Sequence, residues 1–328
     1  MESLLLSSDA VRESVQLPAV VDAVESAFAA YARGDVQMPA KSYIDLPQYD
    51  GDFRSMPAYV EADDWEAAAV KWVNSHVNNP DSHDLPTVMG TIVYSDPETA
   101  YPLALIDGTV LTRLRTGAAA AVATRHLAPE DATTLGLVGA GIQSHVQLRA
   151  IARVRPIDSV VVSDVDDEAI ADFRERFGED YDVRSGSVEA AAACPVVSTT
   201  TPVRDPIVEA VGDRTHVNAM GADAAGKQEL ASELLQGAKL VIDAYEQCTH
   251  SGEINVPWRP GLLAAAATHA DLGDIVAGNA EGRTGDDGVT VFDSTGLAIQ
   301  DVAAAHVVYE RAATEGIGTR FPLVGTET

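Results

Sequence analysis

Three basic side chains are the first sign of chemistry in this chain. Lys41, Arg54 and Lys71 fall one each on three successive predicted strands, and side chains on one face of neighbouring strands converge. Such a cluster suits a small carboxylate, which arginine grips with two hydrogen bonds. A lysine beside other cations has its charged form disfavoured, and a lysine so perturbed exchanges protons near neutral pH as a general acid or base. In an average protein three cations would be surface decoration. Here only Lys41, Lys71, Lys227 and Lys239 are lysines among 22 basic residues, so two of the four on neighbouring strands is not the pattern of decoration.

The second chemical stretch is Thr134-Leu-Gly-Leu-Val-Gly-Ala-Gly-Ile-Gln-Ser-His-Val-Gln-Leu148. An apolar run turns on Gly139 and Gly141 and continues at helical spacing. Glycines there let the backbone approach a pyrophosphate, and the following helix start offers unpaired N–H groups and a positive dipole end. Ser144 replaces the third glycine of the fingerprint. A β-branched strand follows and ends at Asp164, 164 − 139 = 25 residues after the first glycine, against about 20 for the acid that binds the adenosine ribose. A carboxylate there repels a 2′-phosphate, which favours NAD over NADP. Asp223 follows another predicted strand at its carboxyl end, the side that faces the cofactor crevice in doubly wound sheets, although a helix N-cap is an equally ordinary role. Arg115 begins the helix before the glycine turn. His76 and His83 share a predicted loop, which supports a metal only weakly, so none is expected; Cys194 and Cys248 show no metal or redox spacing and read as buried and inert.

These residues must be placed by two kinds of architecture. Residues 18–33 form an amphipathic helix, entered at Pro18 and closed by Gly34. Short extended runs near 41–46, 52–59, 67–74, 87–95 and 102–107 then predict a mostly antiparallel sheet. A helix over 111–127 leads into the glycine-turn strand; further strands are predicted near 182–185, 195–200, 215–219, 239–243 and 289–293, with helices over 166–177, 187–193 and 229–237, and a last helix starts at Leu297. The predicted fold class is α/β, a Rossmann doubly wound dinucleotide-binding domain (115–300) beside a second α+β domain (1–114 with 301–328).

Taken together, Met38-Pro-Ala-Lys41, Asp52-Phe-Arg-Ser-Met-Pro-Ala58, Val70-Lys-Trp-Val-Asn74, Arg115-Thr-Gly-Ala118, Gly139-Ala-Gly-Ile-Gln143, Thr199-Thr-Thr201, His216-Val-Asn-Ala-Met-Gly-Ala-Asp223 and Phe292-Asp-Ser-Thr-Gly296 resemble, in order, the motifs of the ornithine cyclodeaminase/μ-crystallin family, and within it the archaeal-type alanine dehydrogenases. The resemblance implies that the N-terminal segment and last helix build a dimerisation and substrate domain. It implies cofactor contacts from Arg115, Thr116, Gly139, Gly141, Ile142, Gln143, Asp164, Thr201, Val217, Asn218, Ala219, Met220, Lys227 and Ser294. Lys71 and Asp223 would be catalytic, and Lys41, Arg54, Lys71 and Arg115 would bind substrate. Cyclodeaminases of the family look to carry a glutamate where this chain has Arg54, so a short amino acid held by its carboxylate is favoured over a dibasic one. The expected reaction is reversible, NAD-dependent oxidative deamination of L-alanine to pyruvate and ammonia by a homodimer. The alternatives are cyclodeamination of ornithine to proline with recycled NAD, and a ligand carrier without turnover.

Composition bounds the setting. There are 50 acidic residues against 22 basic, a formal charge of −28, and 46% hydrophobic residues to build cores. The acids are scattered through patterned segments rather than gathered in a tail. Such a surface disfavours nucleic acid and anionic membranes as partners. The first residues lack the cationic region and long apolar core of a signal peptide, and no apolar run reaches the roughly 18 residues of a span, so a cytoplasmic enzyme is expected. A folded, acidic, lysine-poor chain fits a halophile's cytosol, where molar salt shrinks the Debye length to about 3 Å and screens self-repulsion. The expected outcome is a melting temperature that falls as KCl is lowered from molar to tens of millimolar; a melting temperature independent of salt removes the halophilic reading.

Overall fold

The computed structural model describes residues 2–264 and 267–325, so Met1 and residues 326–328 of the predicted first domain lie outside the described residues. The chain divides into two compact units, Met1–Arg115 with Leu297–Thr328, and Thr116–Gly296.

The first unit is built on a sheet of β1 (Ser3–Leu6), β2 (Val36–Gln37), β3 (Ser42–Leu46), β4 (Gly51–Glu61), β5 (Glu66–His76), β6 (Val88–Ser95), β7 (Pro102–Asp107) and a last strand, Thr319–Phe321. From that last strand the order runs β1, β7, β6, β5, β4, β2, with β3 also on β4. Every pair is antiparallel except β1 with β7. Alternation decides which face is covered. Met56, Ala58 and Val60 of β4 and Ala67, Ala69, Lys71 and Val73 of β5 are buried, while Trp72 between them is 43% exposed. Met56 pairs with Lys71 and Arg54 with Val73, so Arg54 and Lys71 lie on the same, covered face. Lys41 lies one residue before β3 rather than on it. The helix Ala298–Glu315 packs across β4 and β5 and against the helix Leu17–Arg33. The latter starts with Pro18 in its first turn and stops where Gly34 takes φ 84°, a left-handed cap that glycine adopts without strain.

The second unit holds β8 (Thr134–Val138), β9 (Ser159–Ser163), β10 (Asp182–Ser185), β11 (Val196–Thr199), β12 (His216–Ala219), β13 (Lys239–Ile242), β14 (Thr268–Asp271) and β15 (Thr290–Asp293). Their order is β10-β9-β8-β11-β12-β15-β13-β14, and every pair is parallel. Residues of β8, β11, β12 and β15 are almost wholly buried, as strands covered on both faces must be. The chain runs outward from β8 to β10, then returns to β11 on the other side of β8. This reversal is the topological switch at which doubly wound sheets open a crevice beyond their carboxyl ends. The helix expected over 229–237 is confined to Ser232–Gly237. Leu230 instead forms a bridge to Val208, and Glu229 turns inward, fully buried.

Candidate active site

In the first unit, Lys71 is 2% exposed on the covered face of β5, among apolar neighbours. Its Nζ lies 2.7 Å from Oδ2 of Asp301 and donates to Thr112 Oγ1 at 3.3 Å. Asp301 projects from the helix Ala298–Glu315 and is itself 2% exposed. Its Oδ1 accepts from Nε of Arg115 at 3.3 Å, and Arg115 Nη1 donates to Gln300 Oε1 at 3.1 Å. Burial lowers the Lys71 ammonium from the ordinary lysine range to about 7; Asp301 opposes that fall, while Arg115 and Lys41 add to it. Of the three cations expected to cluster, Lys71 meets this buried carboxylate, and its companion there is Arg115. Arg54, on the same face, is held by Asp52, with Nε to Oδ1 at 3.0 Å and Nη2 to Oδ2 at 2.8 Å, and its guanidinium lies 5.7 Å from the Tyr43 ring centre.

In the second unit, Ser163, Val138, Thr199, Ala219 and Asp293 form a row across adjacent strands. That register brings Asp164, Gly139, Thr200 and Thr201, Met220 and Ser294 to one edge of the sheet. Gly139 takes φ 103°, and a side chain there would press Thr200 Oγ1 at 2.9 Å, whereas beyond Gly141 the space is open. Ser144, in place of the third glycine, is buried. It donates to Gly139 O at 2.5 Å and meets Thr200 Oγ1 at 2.9 Å, so it ties the turn to its helix. The helix Ile142–Ile151 begins at Gly141 without a side-chain cap, and Gln143 Oε1 is buried without a hydrogen-bond partner. An open, uncapped helix start behind two glycines is a cradle for a diphosphate. Asp164 accepts from Ala140 N at 2.6 Å and Asp166 N at 3.0 Å; each oxygen keeps a lone pair for a hydroxyl.

The remaining predicted contacts differ in what they offer. Ile142 is 47% exposed, Thr116 buried. Val217, Asn218 and Ala219 are buried, and the Asn218 amide is engaged by Thr124 and His216, so their side chains belong to the core and only backbone remains at the strand end. The Ser294 hydroxyl donates to Asp243 at 3.0 Å. Asp223, after β12, is exposed and pairs with Lys227 at 2.6 Å. Among the described residues, no group of three or more His, Cys, Asp or Glu could hold a metal, and no helix is long and apolar enough to cross a membrane.

The sequence of the ornithine cyclodeaminase/mu-crystallin family matches residues 1–316. The chain belongs to that family. It is 45% identical to an alanine dehydrogenase of Archaeoglobus fulgidus over 98% of both chains. Among solved structures, an archaeal alanine dehydrogenase dimer with bound NAD superposes with a TM-score of 0.94 at 43% identity, over 99% of this chain and 100% of that one. The Thermococcus litoralis Δ(1)-pyrroline-2-carboxylate reductase in complex with NADH and L-proline gives 0.92 at 34% identity, over 96% and 99%.

Sequence reasoning missed Asp301, Gln300 and Glu229. The signal for Asp301 was present: Gln300-Asp301 interrupts an Ala/Val-rich helix on what is otherwise its apolar side.

The depressed Lys71 pKa has a consequence for stability. Between pH 7 and about 10.4 the unfolded lysine binds a proton that the folded one has released, so unfolding free energy rises with pH, by at most about 1.4 kcal/mol per unit from this group. Denaturant unfolding at pH 7 and pH 9 is expected to show a larger gain for the wild type than for Lys71→Met. Equal gains would mean that Lys71 keeps an ordinary pKa.

Proposed function

We propose that this chain is an NAD-dependent amino-acid dehydrogenase that oxidatively deaminates L-alanine to pyruvate and ammonia. The observation that carries the reading is the buried Lys71, held beside Asp301 and Arg115 with a pKa of about 7. A lysine so tuned is unprotonated for part of the time at neutral pH, as a general base requires.

The uncapped helix start at Gly141, the orphaned Gln143 Oε1 and the carboxylate of Asp164 fit NAD, with Thr116, Thr201, Met220 and Lys227 as further contacts. When bound, NAD⁺ supplies the acceptor for the hydride on the substrate's Cα. Arg115, Lys41 and Arg54 hold the substrate carboxylate, a task suited to guanidinium groups. Neutral Lys71 takes a proton from the water that adds to the imine carbon, and Asp301 stabilises the ammonium that results. Asp223 carries the proton that departs with ammonia. The similarity to an alanine dehydrogenase at 45% identity supports this substrate.

One observation favours a second reading. The Arg54 charge is matched by Asp52 at hydrogen-bond distance, with both side chains about four-fifths buried. So paired, Arg54 repels the distal ammonium of a dibasic substrate less. Cyclodeamination of ornithine therefore stands as the alternative, and reduction of a cyclic imino acid belongs beside it because of the likeness to the pyrroline-2-carboxylate reductase. We also propose a homodimer, supported by the apolar side chains Tyr43, Ile44 and Trp72 left exposed on the first unit's sheet.

Protein in molar KCl with NAD⁺ and L-alanine is expected to accumulate NADH, and Lys71→Ala to lose turnover by about 10²–10⁴-fold while NADH binding persists. Proline and ammonia formed from L-ornithine without net NADH would replace the dehydrogenase with the cyclodeaminase. NADH produced from L-proline but not from alanine would replace it with the imine reductase. Light scattering on the same preparation is expected to give twice the chain mass; the mass of one chain removes the dimer.

A further inference from the structure

A buried carboxylate that the proposed function does not use gathers the two loops beside the glycine turn. Glu229 is 1% exposed. Its Oε1 accepts from Thr201 N at 2.6 Å and Thr201 Oγ1 at 2.7 Å, and its Oε2 from Thr199 Oγ1 at 2.6 Å and Gly221 N at 2.9 Å. Thr199 and Thr201 flank the end of β11, and Gly221 lies two residues past β12. Four donors thus converge on two oxygens, which an ionised carboxylate can satisfy because it only accepts. Gly221 leaves the room: a Cβ there would lie 2.5 Å from Glu229 Cδ.

The clamp reaches the glycine turn through its neighbour. Thr200, between the two clamped threonines, meets the Ser144 hydroxyl that closes on Gly139 O. Glu229 is in turn held from behind. Glu253 Oε1 accepts from the backbone N–H of Glu229 at 2.8 Å and of Leu230 at 2.6 Å, and Asp293 accepts from the backbone N–H of Glu253 at 2.8 Å and of Ile254 at 3.1 Å. Each acid fixes the backbone that carries the next.

We propose that Glu229 is a positioning residue for the dinucleotide: it touches no cofactor atom but presets the loops Thr199–Thr201 and Met220–Gly221 that wall the crevice at the switch between β8 and β11. This rests on the dinucleotide reading above. A neutral acceptor cannot replace it, because glutamine would turn an N–H towards the Gly221 N–H. Aspartate keeps four acceptor sites and is short by one methylene.

The test is NADH fluorescence titration with thermal melts on the full chain. Glu229→Gln is expected to weaken NADH binding at least tenfold with its melting temperature within a few degrees of wild type, and Glu229→Asp to recover part of the affinity. Should Glu229→Gln fail to fold, Thr199→Val decides, since it removes one of the four donors from a buried side chain; there a loss of at least threefold is expected. NADH binding within 1.5-fold of wild type in the folded variants overturns the proposal, whatever happens to their melting temperatures. An absence of NADH binding by the wild type removes the dinucleotide reading itself, and the inference with it.

Discussion

A cation buried on an apolar sheet face is the constraint around which the first unit is arranged. Removing an ammonium from water costs several kcal/mol even after relaxation, and Lys71 occupies a position that the alternation of β5 would otherwise give to valine or alanine. The cost is tolerable because Asp301 is delivered to it by the helix across the sheet, and because the group can lose its proton near neutral pH. Arg115 completes the arrangement by occupying the other carboxylate oxygen. Without Asp301, two neighbouring buried cations would face each other unscreened. The chain's return into the helix Ala298–Glu315 is thus what makes a buried lysine possible on this face.

The second unit solves the opposite problem, the placement of buried anions. Glu229, Glu253 and Asp293 are almost fully withdrawn from solvent, and burial raises the pKa of each. Their answer is backbone amides and threonine hydroxyls rather than cations. Among the described residues no lysine or arginine pairs with them, so the local field at the carboxyl edge of the sheet is shaped by dipoles fixed in loops, which cost little reorganisation when charge moves nearby.

Much of this was legible in the sequence where local chemistry dictates structure. β8, its glycine turn and the helix Ile142–Ile151 follow from an apolar run, two glycines and helical spacing, and β4 to β7 from alternation and turn residues. The strands that escaped notice, β1, β2, β14 and Thr319–Phe321, are two to four residues long and exist because a partner edge is available, which no local pattern records. The site divides in the same way. Lys71 stood out because lysine is scarce, yet its partner Asp301 is 230 residues distant in sequence and only the packing of a helix on a sheet joins them. Glu229 looked like the start of a helix, since nothing in Lys227-Gln-Glu-Leu230 tells that its donors lie on two other segments.

The scarcity of lysine has a last implication, for the reactivity of the molecule's surface. Lys71 is sealed against Asp301, Lys227 is paired with Asp223, and Lys239 is held by Asp287 at 3.0 Å and by the Gly282 carbonyl, with side-chain exposures of 1%, 21% and 13%. Lys41, the fourth, is only partly exposed. No freely solvated primary amine remains on any of the four lysine side chains. Reagents that acylate or glycate amines, and supports that couple through them, therefore meet a protein whose every lysine is already committed.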